Sequence, residues 1–549
     1  MSKHAPVVSS AIRIGLCTLL SRITGFVRDI LVIQTLGVAW ISDAWTFAFQ
    51  IPNLFRRLFG EGALAAVFVP EFSKLLERDE NESAWRLFAR TLALLTIVLI
   101  LVVILIELIL LAIWMFAPGD PGAQQEARAL ALSLTGLMLP FMITICIVAL
   151  FSSILNSLGS FVPPAVTPVI LNLAMIIALV AIAPHFADVA REKVYILGAS
   201  VLVAGVIQIL FLLPVLRRRQ VPLRWELDTR DPHVRRMLGN LGPVIFGQGV
   251  LIIGAYVDSQ ICLLFTRLKE APDTANWFGW TFRYPLEEGA NALLYIAQRL
   301  YQFPLGVAAI SIGVAALPAM TRLIAREDHK GWADELRRSL RLSFFVGALS
   351  SAMLITLGES FLRLLFEYKK FNAADTARAT PLVVAFGWGM WAFCVQQIVV
   401  RGFYSRGDIR TPVIMNLFFV PLNLAISFFL IWQPAIRVTA FGISSAFTAS
   451  LGVIVGLLLL QRRANTRVFT PAFLFAAAKI TLAAALAGIV IIATRNPLDA
   501  IGANLHATPL ITRSIESFGG MMIGVAVFLL ACWLFRLPEP GLILRRFRR

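Results

Sequence analysis

Residues 21–29 read SRITGFVRD, which places Arg22, Arg28 and Asp29 between apolar flanks that include Leu19, Leu20, Ile30 and Leu31. Further charges interrupt equally apolar sequence. Asp43, Arg56, Arg57 and Glu61 fall within SDAWTFAFQIPNLFRRLFGEGALAAVFVPEF (42–72). Asp258 sits in GAYVDSQICLLF (254–265) and Arg299 in LLYIAQRLYQFPLGV (293–307). A charge at the centre of a membrane helix costs at least about 2.5 kcal/mol, so charges kept there mark function or a specific partner. Guanidinium groups stay charged at any relevant pH, and their planar fork matches phosphate oxygens. In this group five arginines face the carboxylates of Asp29, Asp43 and Glu61, so positive charge is in excess. That balance points to an anionic, phosphate-bearing cargo; a cation exporter needs buried carboxylates instead.

Local sequence qualifies this picture. Arg22 and Arg28 are separated by about 240° around an ideal helix, so a straight helix does not aim both at one site. Thr24-Gly25 between them predicts a bend or local unwinding, which is tolerated at membrane depth where it lines a cavity. Pro52, Gly60 and Gly62 predict a broken helix end around Arg56 and Arg57. Snorkelling to the headgroups is the competing reading for Arg56 and Arg57, and the default for Arg363 and Lys479. Asp258 either holds a coupling cation or pairs with an arginine, and both readings stay open. RGFYSRGDIRTP (401–412) reads as a tight turn whose charges meet solvent, headgroups or a gate.

Whether these residues lie in a membrane is decided by composition. The 549 residues are 58% hydrophobic and 15% charged, far from the soluble average. The apolar residues come in runs such as 92–116, longer than a span requires. There are fourteen candidate spans: 8–36, 39–59, 88–117, 130–156, 163–184, 195–216, 238–265, 286–318, 339–366, 379–403, 412–433, 438–461, 469–493 and 516–536. The expected class is an all-α polytopic membrane protein. No cleavable signal pattern is present. With the N-terminus cytoplasmic, roughly 30 of the 49 basic residues fall on the cytoplasmic side, in 217–236, 322–341 and the RRFRR tail among others. The net charge of +17 then reflects basic loops and not nucleic-acid binding. Cys17, Cys146, Cys262, Cys394 and Cys532 lie in apolar segments without pairing or metal spacing, and the histidines are scattered. No metal site and no nucleotide-binding loop is expected.

The chain also repeats itself. FQIP (49–52) answers YQFP (301–304), PEFSKLLERDENESAWRLFARTL (70–92) answers PAMTRLIAREDHKGWADELRRSL (318–340), and TPVILNL (167–173) answers TPVIMNL (411–417). The order is kept, which indicates two homologous halves of six spans. An even number gives both halves one orientation, a parallel repeat about an axis along the membrane normal, as in transporters that rock two bundles about a central site. The expected organisation is an N-lobe (1–220), a C-lobe (221–464) and a final pair of spans with a basic tail (465–549).

SRITGFVRD, the 42–72 block, QRLYQFPLGVAAISIG and GFYSRGDIRTPV resemble the MurJ (MviN) family, the lipid II flippases of bacterial cell-wall synthesis, within the wider MOP superfamily. The resemblance runs along nearly the whole chain. It implies two lobes around a central cationic cavity, and a groove at spans 13–14 for the polyprenyl tail. Residue by residue, it implies that Arg22, Arg28, Arg56 and Arg299 are cavity arginines, with Asp29, Asp43, Arg57 and Glu61 at neighbouring motif positions. Gln298 departs from the acid common at its place. The implied function is alternating-access translocation of lipid II across the inner membrane, by a monomer among membrane lipids and cell-wall synthesis partners. No organic cofactor is expected, and the drive is a sodium, proton or chloride gradient or the membrane potential. Alternatives are an O-antigen or drug exporter of the same superfamily, or an enzyme acting on polyprenyl phosphates. The enzyme would need a compact acid/base or metal constellation, which the sequence does not offer.

Overall fold

A computed structural model of the chain describes residues 5–56, 64–116, 123–269, 272–277, 280–464, 468, 470–504 and 508–541. Arg57 and Glu61 lie outside the described residues. The chain divides into two compact units, Met1–Ala292 and Leu293–Arg549.

The first unit holds α1 (Ala5–Leu36), α2 (Trp40–Phe55), α3 (Leu64–Glu77), α4 (Asn81–Phe116), α5 (Ala123–Met138), α6 (Phe141–Ser157) and α7 (Val162–Ile177). A π-helical turn, Ala178–Ile182, leads to α8 (Ala183–Phe186), α9 (Ala190–Arg218) and α10 (Pro232–Leu264). Next come four short strands: β1 (Thr266–Arg267), β2 (Thr274–Trp277), β3 (Trp280–Arg283) and β4 (Leu286–Glu287). α11 (Ala290–Pro304) carries the chain into the second unit, which continues with α12 (Ile310–Ala325), α13 (His329–Leu365), α14 (Ala373–Ser405) and α15 (Arg410–Leu430). It ends with α16 (Ala440–Arg463), α17 (Pro471–Asn504), α18 (Pro509–Ser514) and α19 (Gly520–Leu534).

Ten helical stretches among the described residues are long and apolar enough to cross a membrane. They coincide with ten of the fourteen expected spans. The remaining four, 8–36, 39–59, 238–265 and 286–318, are the ones that hold Arg22, Arg28, Asp29, Asp43, Arg56, Asp258 and Arg299. Three charges interrupt the apolar stretch of α1, and α2 and α11 are only 16 and 15 residues long. On α4 the large side chains of Leu101, Leu105, Leu108 and Trp114 are exposed. Contiguous apolar surface of this kind suits a helix solvated by lipid.

The strands were not expected from an all-helical reading. β2 and β3 pair antiparallel with Ala275 opposite Phe282 and Asn276 opposite Thr281, and β1 pairs parallel with β4. Threonine and aromatic residues favour the pleated conformation here, and Arg267 pairs with Asp273 at 2.6 Å to close the excursion.

The internal repeat reappears in backbone geometry. α3 is followed by Asp79 at φ 57°, and α12 by Glu327 at φ 58°. Behind each, an amide bonds back five residues: Glu80 N to Leu75 O at 3.0 Å, Asp328 N to Leu323 O at 2.9 Å. This is the same left-handed helix closure in both halves. Trp332 of the second half is fully buried and donates to Ser405 Oγ at 2.9 Å.

Within the second unit, the α14–α15 turn is an internal tie. Asp408 accepts from Thr411 N at 3.0 Å and from its hydroxyl at 2.7 Å, and Arg463 of α16 reaches the same carboxylate. Burial opposes its charge, but these hydrogen bonds and Arg463 hold the Asp408 carboxyl below its ordinary value. The last helices are bound to α13 at both ends. Arg495 of α17 bonds Glu516 and Glu359, each at 3.0 Å, and Arg363 joins Glu359 at 3.0 Å. Arg363 is thus ion-paired at the end of α13. Lys479 of α17 donates to the carbonyl of Phe535 at the end of α19 at 3.0 Å.

In the first unit the segment between α9 and α10 folds its acids over Arg90 of α4, which meets Glu226 at 3.6 Å, Asp228 at 3.5 Å and also Asp231. Nearby, Glu71 of α3 accepts from Arg236 at 2.9 Å and bonds His233 at 3.0 Å. Burial pushes Glu71 up, but His233 and Arg236 outweigh it and hold its carboxyl below the usual range. The folded value lies below the unfolded one. The attachment is therefore at full strength above the ordinary glutamate value and is lost as pH falls through the depressed one. Amide protection across 217–236, measured against the intrinsic exchange rate at each pH, should fall on acidification below about pH 4. In Glu71→Gln it should already be low at neutral pH and vary less with acid. An unchanged profile in that variant would show that Glu71 does not hold the segment.

Candidate functional site

Arg28 lies on the buried side of α1, with its side chain 8% exposed. Its Nε and Nη2 both donate to Asp29 Oδ1, at 3.0 and 2.6 Å. Its Nη1 donates to Asn172 Oδ1 of α7 at 2.9 Å, and the guanidinium lies 5.4 Å from the centre of the Phe49 ring. Asn172 uses its other end as well. Its Nδ2 donates to Ser21 O at 3.1 Å and to Thr24 Oγ1 at 3.2 Å. One amide therefore clamps α1 to α7 and orients Arg28 between a carboxylate and an aromatic face.

Gly25 explains the close approach. A Cβ there would stand 3.2 Å from Asn172 Nδ2. The expected unwinding at Thr24-Gly25 does not occur, because α1 is helical without interruption and Thr24 bonds back to Leu20 O at 2.9 Å. The glycine answers a packing need across the helix pair. In an unbroken helix Arg22 faces away from Arg28's site. It is half-buried and, among the described residues, makes no ion pair.

Asp43 serves a different structure. Its Oδ2 accepts from Gly289 N at 2.9 Å and its Oδ1 from Ala292 N at 2.8 Å, so it sits on the amide end of α11, where negative charge is favoured. Gly289 has φ 82°, and a Cβ there would stand 2.3 Å from Val38 Cγ1, so only glycine fits. Glu288 accepts from Trp40 N at 3.1 Å beside it. Asp258 is 5% exposed on α10, and its neighbour Ser259 donates to Asn291 Oδ1 of α11 at 2.7 Å. The starts of α2 and α11 and the last turns of α10 thus meet. Among the described residues no cluster of three or more His, Cys, Asp or Glu is placed to hold a metal ion.

Arg56 and Arg299 each hold neutral groups close by in the chain, among other partners. Arg56 Nε donates to Asn53 Oδ1 at 3.0 Å. Arg299 donates to Tyr295 Oη at 2.8 Å and Gln302 Oε1 at 3.3 Å, and lies 4.6 Å from the Tyr295 ring centre. Arg28, Asp29 and Asn172 form one site, Asp43 with the α11 start a second, and Arg299 with Tyr295 a third. Asn172 was visible in the sequence only as part of the TPVILNL repeat. A lone asparagine in an apolar run is the signal that could have marked it.

A family model described as Lipid II flippase MurJ matches residues 32–502. A probable lipid II flippase MurJ of Rhizobium tropici is 30% identical over 549 residues, 99% of this chain and 97% of its own. The lipid II flippase MurJ of Burkholderia cenocepacia is 30% identical over 432 residues, 74% of this chain and 77% of its own. Among solved structures, a lipid II flippase MurJ in an inward closed conformation superposes with a TM-score of 0.73 at 21% identity, over 95% of this chain and 98% of that one. An inward-facing multidrug resistance MATE family transporter of the MOP superfamily superposes with a TM-score of 0.65 at 14% identity, over 82% of this chain and 98% of that one. Both likenesses show the fold.

Replacing Asn172 by Ala removes three hydrogen bonds and leaves Arg28 Nη1 without its amide. The expected loss is about 1–3 kcal/mol of stability, read by thermal unfolding in detergent. Unchanged stability would show that this polar junction does not hold α1 to α7.

Proposed function

This chain belongs to the lipid II flippase MurJ family, and on that premise we propose that it moves lipid II from the inner to the outer leaflet of the bacterial cytoplasmic membrane. It is a transporter and not an enzyme; no bond in the cargo is made or broken. The observation that carries the reading is Arg28, a guanidinium kept buried in an apolar helix between Asp29, Asn172 and Phe49, in a chain whose relatives are named lipid II flippases.

In this reading the chain crosses the membrane fourteen times, with both termini cytoplasmic. Spans 1–6 and 7–12 form two lobes related by a parallel pseudo-twofold, and α17 and α19 supply the groove for the polyprenyl tail. The protein acts as a monomer. The pyrophosphate enters a cationic cavity between the lobes and competes with Asp29 for the Nε/Nη2 edge of Arg28, while Asn172 keeps the guanidinium aimed. Arg22, Arg56, Arg57 and Arg299 add positive charge, and Asp43 and Glu61 limit it. Neutralising the walls lowers their repulsion and favours closure toward the outward-open state. An ion gradient or the membrane potential resets the cycle; one charge moved through about 100 mV is worth about 2.3 kcal/mol. Asp258 is the candidate for a coupling ion.

Two features favour this over a drug exporter of the same fold. The intramembrane arginines outnumber the acids, and the family profile spans most of the chain. The test is translocation of labelled lipid II in vesicles that hold the whole chain. Arg28→Ala and Arg299→Ala should each transport at least about tenfold more slowly, the scale of one lost charge-assisted hydrogen bond. Wild-type rates in both would remove the proposed site.

A further inference from the structure

The segment that joins α9 to α10 sorts its charges by sign. Glu226, Asp228 and Asp231 turn inward onto Arg90 of α4, and Arg236 is taken by Glu71 of α3. Arg217, Arg218, Arg219, Arg224, Arg230 and Arg235 are exposed and, among the described residues, make no ion pair. The outer surface is therefore positive although the segment itself contains acids.

Apolar side chains share that surface. Residues 221–230 form neither helix nor strand. Glu226 meets Arg90, while its two neighbours face outward: Trp225 is 57% exposed and Leu227 60%. Leu223 is exposed beside them. An apolar group of this kind, rimmed by arginines, marks an interaction surface.

Depth identifies what meets it. Arg90 lies just inside the expected span 88–117, and the membrane-crossing stretch of α9 ends at Arg218. A segment held on Arg90 thus lies where the helices leave the hydrocarbon. Leu210 and Phe211 of α9 and Leu238 of α10 are exposed on the adjoining turns, so apolar surface continues from the segment into the spans. Tryptophan favours this depth, and arginines clustered at the end of a span are attracted to anionic headgroups. A soluble acidic partner would answer the arginines but leave the three apolar side chains in water. We propose that this face docks on anionic phospholipid, with Leu223, Trp225 and Leu227 seated at the bilayer interface and the arginines on the phosphates. None of the intramembrane arginines takes part, so the proposal does not depend on the cargo.

The test places the full chain in lipid nanodiscs with brominated acyl chains, which quench a tryptophan that sits in the bilayer. The Trp225 signal is the wild-type emission less that of Trp225→Phe. It is expected to be quenched in phosphatidylglycerol discs and largely spared in phosphatidylcholine discs. At the salt concentration that halves this quenching, Arg218→Gln and Arg224→Gln should each lower the docked-to-free ratio about fivefold. Both side chains are exposed, so the variants fold, and relief of quenching by added salt tests the same attraction without them. Absence of quenching in both lipids, equal quenching in both, indifference to salt, or a ratio unmoved by either arginine variant would overturn the proposal. Soluble polyglutamate that shields Trp225 from aqueous iodide in phosphatidylcholine discs as well as phosphatidylglycerol does would overturn the assignment to lipid.

Discussion

A guanidinium buried beside its own neighbouring carboxylate is the interaction on which the first unit turns. Removing both charges of the Arg28–Asp29 pair from water costs several kcal/mol per ion, and their attraction repays this only when the remaining donors are also satisfied. Asn172 satisfies the free edge of the guanidinium and Phe49 lies near it. That requirement explains several other features. α7 must lie against α1 at this height, position 25 has little room for a side chain, and α1 must stay helical so that Ser21, Thr24 and Arg28 all meet one amide.

Charge position was legible in the sequence, but charge partnership was not. Each arginine in an apolar run announces itself by its cost, and the repeat announces itself by order. What a side chain bonds depends on helices far away in the chain. Asp43 reads as one more carboxylate among arginines until Gly289 and Ala292 bring the amide end of α11 onto it. Gly25 reads as a hinge, because glycine is permissive, until Asn172 is seen to need the space. The strand excursion at 266–287 was hidden for another reason: a two- to four-residue ladder is too short for any periodicity to reveal.

The repeat survives more faithfully at helix ends than in charges. Asp79 and Glu327 adopt the same left-handed closure although neither is glycine, because the turn must redirect the chain in both halves. The residues around it have diverged. Glu71 of the first half is tied to His233 and Arg236, whereas Ala319 stands at the matching place in the second. Geometry common to both halves is conserved by packing, while polar partners record what each half has come to do.

The final two spans illustrate the same division. They have no counterpart in the repeat, yet they are not loosely added. Arg495, Glu516, Glu359 and Arg363 bind them to one end of α13, and Arg341 with Glu539 binds the other. Along the middle, contact is apolar, with Phe345 against Phe528 at 4.7 Å between ring centres. Apolar packing between lipid-solvated helices gives little orientation, since lipid tails solvate the same surfaces equally well. Directional bonds at two separated points do fix it, because a helix held at both ends can neither slide nor rotate on its neighbour. α17 and α19 must therefore move with α13 whenever α13 moves. A hydrophobic surface tied that way keeps its register with the helix it flanks.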